Sequence, residues 1–175
     1  MYSGKAGWNP AGLAIIVKHR YKPNEVASMD LVGNVKGRVC VLVDDMADTC
    51  GTLLKAAGML REQGAIAVYA CIAHGVLSGP ACERLREDTN MKRLCVLDTI
   101  GTVLGCQERC GGKLDVVSAA PILATAIDAI ASRVSLSSAV EMSPALTGEE
   151  QVGGGGDRAE VAAAALQPVV MNAKL

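Results

Sequence analysis

Phenylalanine is absent from this chain of 175 residues, and aromatics as a whole are scarce, with one Trp and three Tyr. A hydrophobic interior must therefore be built from aliphatic side chains. Half of the residues are hydrophobic, enough at this length for one domain with a real core. Charge of one sign is also lacking: the formal net charge is −1, which leaves no electrostatic case for nucleic acid or an anionic membrane as partner. No long uncharged apolar run and no signal peptide is present, so nothing points to membrane insertion or secretion, and the chain reads as cytoplasmic. The seven cysteines, Cys40, Cys50, Cys71, Cys82, Cys95, Cys106 and Cys110, are odd in number and scattered. They read as reduced thiols of an intracellular protein. Cys106 and Cys110 are spaced somewhat like metal ligands, but no second pair or nearby histidine completes a zinc site.

What is present is concentrated in Val39 to Thr52, VCVLVDDMADTCGT. Val39, Val41, Leu42 and Val43 form a short apolar run rich in β-branched residues, the pattern of a strand buried on both faces of a parallel sheet, and it stops at Asp44 and Asp45. Leu53, Leu54, Ala56, Ala57, Met59 and Leu60 then recur with helical spacing, with Gly64 placed to end the helix. The loop between them lies at the carboxyl end of a strand, where open α/β sheets bind ligands. Asp48, Thr49, Cys50, Gly51 and Thr52 open the helix, whose first N–H groups lack intrahelical partners and attract an anion. Gly51 allows close backbone approach, and the Thr49 and Thr52 hydroxyls add donors for phosphate oxygens. Carboxylates beside a phosphate site make sense if they accept from vicinal sugar hydroxyls while backbone N–H groups take the phosphate. That division suits a pentose 5-phosphate. The bland alternative, two aspartates ending a strand and a third capping a helix, leaves the rest of the string unexplained.

Upstream, LAIIVKHRYKPNEV from Leu13 to Val26 reads as an apolar strand ending in Lys18, His19 and Arg20. Alternation puts Lys18 and Arg20 on one face and His19 on the other. Two cations together suit a reaction in which negative charge accumulates on a transferred phosphate chain. Taken alone, such a cluster is more often the solvated end of a strand. His74 follows another apolar strand and precedes Ser78, Gly79 and Pro80, which start a helix. It either lines the same sheet edge or ties down a loop, and no chemistry is assigned to it or to His19.

Strands near Leu13 to Val17, Val39 to Val43, Ala67 to Ala73, Leu94 to Leu97 and Leu114 to Val117 alternate with helical patterns, including Gly79 to Glu87 and an amphipathic closing helix from Ala120 to Ser132. The alternation predicts an α/β fold, a mainly parallel sheet covered by helices on both faces. Beyond Val134 the character changes, with a four-glycine run at Gly153 to Gly156 and a four-alanine run at Ala162 to Ala165. Residues 135–175 read as a largely disordered Ala/Gly/Ser-rich tail, with Asp157 to Leu166 at most a marginal helix.

The string VDDMADTCGT, with NEV and LVGNVKGRV before it and AHGVLSGPA after it, resembles the carboxyl-terminal domain of ribose-phosphate pyrophosphokinases, the phosphoribosyl pyrophosphate synthetases. The resemblance spans about Leu13 to Ile130, assigned as a domain over 13–134, and leaves residues 1–12 unmatched. It implies a type I phosphoribosyltransferase-like fold and transfer of diphosphate from ATP to ribose 5-phosphate, with Mg2+ bridging the phosphates. It further implies that Asp44 and Asp45 engage the ribose hydroxyls, that Asp48, Thr49, Cys50, Gly51 and Thr52 hold the 5-phosphate, and that Lys18 and Arg20 stabilise the transferring group. Partners implied are a homo-oligomer or an assembly with full-length synthetase subunits. Family members carry an amino-terminal domain with an Asp-Ala-Gly-Gly loop and a histidine that help hold magnesium. MYSGKAGWNPAG does not reproduce that loop, so no metal ligand is carried over to this sequence, and little turnover is expected of the chain alone. Two rival expectations stand beside this one: a noncatalytic associated subunit that binds ribose 5-phosphate, and a phosphoribosyltransferase that uses phosphoribosyl pyrophosphate to modify a base.

Overall fold

The computed structural model describes residues 12–19, 28–141 and 169–172. Arg20, the unmatched start through residue 11, and residues 142–168 with their glycine and alanine runs lie outside the described residues. The chain divides into two compact units, one formed by residues 1–117 with 159–175, the other by residues 118–158.

The larger unit is a seven-stranded sheet. Its strands in chain order are β1 (Gly12–His19), β2 (Ser28–Val32), β3 (Val39–Ala47), β4 (Ala67–Gly75), β5 (Met91–Leu97), β6 (Leu114–Val117) and β7 (Val169–Asn172), with α1 (Gly51–Glu62) after β3 and α2 (Ala81–Glu87) after β4. The spatial order is β2-β1-β7-β3-β4-β5-β6. Every pairing is parallel except β1 with β2. That agrees with the expected mainly parallel α/β sheet, and the short antiparallel β2 at its edge is an addition to it.

Register explains how the alternating sequence becomes one interior. Ala14, Leu42, Ala70, Leu94 and Leu114 form a lateral row through the ladder, with Met171 of β7 between the first two, and all five are buried. Leu53, Ala56, Ala57 and Leu60 of α1 and Ala81 and Leu85 of α2 join this cluster. Small side chains in the helix faces let the backbones lie close to the sheet, which fits a core without phenylalanine. The next row, Ile15, Val43, Cys71, Cys95 and Asp115, projects to the other face, as the period of two requires. Ile15 and Val43 are exposed there. The helix α1 ends as expected: Gly64 has φ +90°, and Ala65 N–H donates to Leu60 O at 3.0 Å, a left-handed stop that glycine adopts without steric cost.

Two expectations change. The motif strand does not stop at Asp44 and Asp45 but continues to Ala47, because Asp44, Met46 and Ala47 remain paired with Ile72, His74 and Gly75 of β4. The tail expected from residue 135 contains ordered elements: α4 (Leu136–Glu141) and, in the middle of the sheet, β7. The β-branched pair Val169 and Val170 suits a strand with neighbours on both sides. In the smaller unit, α3 (Ala120–Ala131) begins with Pro121 in its first turn and is followed by α4, and Leu123, Ile127 and Ile130 are exposed.

Because β7 lies between β1 and β3 in the ladder of the described residues, deleting residues 169–175 is expected to release the β1–β2 pair. Amide hydrogen exchange should show protection lost over residues 12–19 and retained in β4 and β5, and equal protection in both regions would contradict this role for β7.

Candidate functional site

The candidate site sits where β3 hands over to α1. Buried Cys40 and Leu42 anchor the strand, so the residues that follow emerge at a fixed height at the sheet's carboxyl edge. Asp44 is half-buried and Asp45 exposed. Alternation sends them to opposite faces of β3, so the two carboxylates straddle the strand end. The Asp44 Oδ1 accepts from the Asp45 N–H at 3.0 Å.

Asp48, Thr49 and Cys50 form the turn. It is held from the neighbouring crossover, since Val76 and Leu77 N–H both donate to Ala47 O at 2.9 and 3.1 Å, and Ser78 N–H donates to Asp48 O at 3.1 Å. The Ser78 hydroxyl also donates to the Asp48 carboxylate. Cys50 stands at the helix N-cap with φ 57° and gives no side-chain cap, and the first turn of α1 contains no acidic residue. Cys50 thus supplies no capping oxygen to the amides of that turn, and a helix start of this kind attracts an anion.

Arg84 of α2 adds a cation: its Nη1 donates to Thr49 O at 3.1 Å. A Cβ at Gly51 would stand 3.3 Å from that same nitrogen, so the absent side chain leaves room for the guanidinium over the helix start. Thr49, Gly51 and Thr52 open into a groove of about 770 Å³ between α1 and α2, whose walls also carry Lys55 and Arg84. Thr49 is exposed and Thr52 half-buried. The Cys50 side chain turns inward. It is buried in the core cluster, and burial, reinforced by Cys82, pushes its thiol up to about 11; only its backbone faces the turn.

Lys18 belongs to β1, opposite Met29 of β2. Through β7, Ile15 is level with Val43, which puts Lys18 level with Met46, two strand spacings or about 10 Å across the sheet. The sheet therefore brings the backbone of Lys18 and that of Asp44 to the same edge; Arg20 lies outside the described residues. His74 pairs with Met46, and its Nδ1 lies 2.9 Å from Thr99 Oγ1. That hydroxyl already donates to Ala73 O, so it accepts from His74, placing the ring proton on Nδ1 and leaving the Nε2 lone pair outward. His74 is thus fastened in the manner of a loop tie, at the site's edge.

The sequence reading missed Ser78 and Arg84. No local pattern links either to the motif; the adjacency of β3 and β4 and the packing of α2 bring them to it. Cys82 likewise comes within hydrogen-bonding reach of Cys106 and Cys110, with burial the main cause of the raised thiols, Cys110 to about 12. Thiolates, not thiols, ligate metals. Among the described residues no group of three or more His, Cys, Asp or Glu side chains is arranged to hold a metal ion, and no helix there is long and apolar enough to cross a membrane.

The family model described as the phosphoribosyl synthetase-associated domain matches residues 14–140. Among curated relatives, a protein of Cereibacter sphaeroides named ribose-phosphate pyrophosphokinase is 47% identical over 131 residues, 75% of this chain and 38% of its own length. One of the same name from Caldanaerobacter subterraneus subsp. tengcongensis is 46% identical over 127 residues, 73% of this chain and 39% of the relative. The crystal structure of phosphoribosylpyrophosphate synthetase from Mycobacterium smegmatis superposes with a TM-score of 0.55 at 37% identity, over 67% of this chain and 37% of that one. The likeness agrees with the expected type I phosphoribosyltransferase-like fold. The chain spans about two fifths of the length of the relatives it matches.

A thiol held near 11 is protonated throughout the neutral range, so Cys50 is expected to resist iodoacetamide at pH 8 in the native protein and to react once unfolded. Peptide mapping of carbamidomethylated protein checks this, and native modification of Cys50 would contradict its placement.

Proposed function

The chain belongs to the phosphoribosyl synthetase-associated domain family, and on that premise we propose that it holds the ribose 5-phosphate site of a ribose-phosphate pyrophosphokinase. The reaction of such an enzyme moves the β,γ-diphosphoryl group of ATP to the 1-hydroxyl of ribose 5-phosphate, giving phosphoribosyl pyrophosphate and AMP. The observation that carries the reading is the start of α1, where the N-cap Cys50 gives no side-chain bond and Arg84 stands above, directly after a strand end that presents Asp44 and Asp45.

In this reading the backbone amides of residues 49–52 and the Thr49 and Thr52 hydroxyls bind the 5-phosphate. Asp44 and Asp45, on the two sides of β3, accept from the vicinal ribose hydroxyls. The sugar is then fixed at both ends with its 1-hydroxyl oriented for in-line attack, and positioning supplies much of the rate. Lys18, together with Arg20, stabilises charge on the transferring group from the same sheet edge. The Asp48 carboxylate, tied by Ser78, shapes the turn instead of opposing the phosphate. Magnesium acts in such transfers by neutralising phosphate charge. The described residues of this chain do not fit a magnesium cage, and no step here depends on one.

The ATP site is completed by protein outside these residues, through a homo-oligomer or assembly with full-length subunits, in the cytoplasm. A second reading, a noncatalytic subunit that binds the sugar phosphate within such an assembly, takes its support from the description of the matching family as a synthetase-associated domain.

Calorimetry of the purified chain against ribose 5-phosphate, then ATP with magnesium, tests both readings. The sugar phosphate is expected to bind and the chain alone to form no AMP. Asp44→Ala and Asp45→Ala should each weaken sugar binding by about 1.5–3 kcal/mol, roughly ten- to a hundred-fold, as loss of a charged hydrogen bond does. Unchanged affinity in both variants would remove the site assignment, and robust AMP formation by the chain alone would remove the incomplete-site reading.

A further inference from the structure

We propose that Cys71 and Cys95 form a redox-modification site, a thiol pair on the face of the sheet opposite α1 and α2 that closes reversibly to an intramolecular disulfide by exchange with a small disulfide such as oxidised glutathione. The two residues are register partners on the adjacent parallel strands β4 and β5. Neighbouring strands lie about 4.8 Å apart, within the Cα separation that disulfides span. Both side chains point to the same face, because the alternation that buries Ala70 and Ile72 of β4 and Leu94 and Val96 of β5 turns the intervening residues away from the core.

This juxtaposition depends on one irregularity. Val68 pairs with Met91, but Tyr69 pairs with Arg93, so the register shifts by one residue at Lys92. Without that shift Cys71 would lie opposite Leu94. The shift allows Met91 and Leu94, three residues apart, both to be buried, and it carries Cys95 into line with Cys71.

The surroundings divide the labour between the two sulfurs. Cys71 is exposed and Cys95 partly exposed. The Cys95 thiol donates to the Cys71 sulfur, which holds the Cys71 thiol down at about 7 against the opposing effect of burial. Giving that bond, together with burial and the negative charges of Cys71 and Asp115, pushes Cys95 up. Asp115 is the register partner of Cys95 on β6 and is paired with Arg93 at 2.8 Å. Cys71, the more exposed of the two, is placed to meet the small disulfide first, and Cys95 beside it to resolve the mixed disulfide. By contrast Cys40, Cys50, Cys82, Cys106 and Cys110 are buried.

The exchange balances. The Cys71 thiolate attacks one sulfur of oxidised glutathione, its S–S bond breaks, and one glutathione thiolate leaves and takes up the proton released by Cys71. Cys95 then loses its proton and attacks the Cys71 sulfur of the mixed disulfide, expelling the second glutathione as a thiol. Two protein thiols are oxidised and one disulfide of the small molecule is reduced.

The test is incubation of the native full chain in glutathione buffers of increasing oxidised fraction, followed by acid quenching, intact mass and peptide mapping. The expected product has lost two hydrogens and carries a Cys71–Cys95 linkage that excess reduced glutathione reopens. In Cys95→Ser the reaction should halt with one glutathione on Cys71, and in Cys71→Ser residue 95 should stay a free thiol. A wild-type chain that keeps glutathione on Cys71, that links Cys71 to another cysteine, or that leaves both thiols free at the most oxidised ratio overturns the proposal.

Discussion

The parallel pairing of β3 with β4 on one side and β7 on the other is the constraint from which the rest of the structure follows. A strand with neighbours on both sides satisfies its backbone N–H and C=O groups in the ladder, and its side-chain period then dictates which residues reach the core. Cys40 and Leu42 face α1 and α2, and Val43 faces away. Since β3 continues in register with β4 as far as Ala47 and Gly75, the two crossover loops emerge at the same height. Their backbones can then bond to one another, through Ala47 O, Asp48 O and the amides of residues 76–78. The turn that opens α1 is therefore held by the sheet and by its neighbouring loop, with no capping side chain of its own.

This construction lets acidic residues stand beside the proposed anion site. The carboxylates of Asp44 and Asp45 belong to the strand and that of Asp48 is engaged by Ser78, while the positive character comes from the amides of α1 and the guanidinium of Arg84. Separation over a few ångströms suffices, because the field of a helix end falls off within its first turn. The thiols follow the same logic of placement. Buried among aliphatic side chains, Cys40 and Cys50 are driven toward the protonated form. On the opposite face the neighbouring Cys95 lowers the Cys71 thiol instead.

Much of this was legible in the sequence, for reasons that can be stated residue by residue. The run from Val39 to Val43, the helical spacing from Leu53 to Leu60 and the glycine at position 64 are local signals, each imposed by neighbours a few residues away. They led to the strand, the helix, its stop and the intervening loop, with Asp44, Asp45 and residues 48–52 as candidates. The five strands expected from apolar runs all appear; β6 has the expected bounds and the other four are longer by two to four residues where pairing outlasts the apolar pattern, as at Met46 and Ala47. The short β2 was not anticipated, since five residues with Asp30 among them carry little apolar signal of their own.

What the sequence by itself determined is the succession of strands and helices from β3 to α3 and the residue types of the motif loop, because periodicity, turn residues and helix starts act over distances of a few residues. What only the tertiary structure decided is adjacency: β7 between β1 and β3, Arg84 and Ser78 beside the turn, Cys71 opposite Cys95. Each of these depends on which strands pair and in what register, and a single shift at Lys92 changes a partner from Leu94 to Cys95. Register is set by the simultaneous burial of side chains from many elements, a condition that no local stretch of the chain contains.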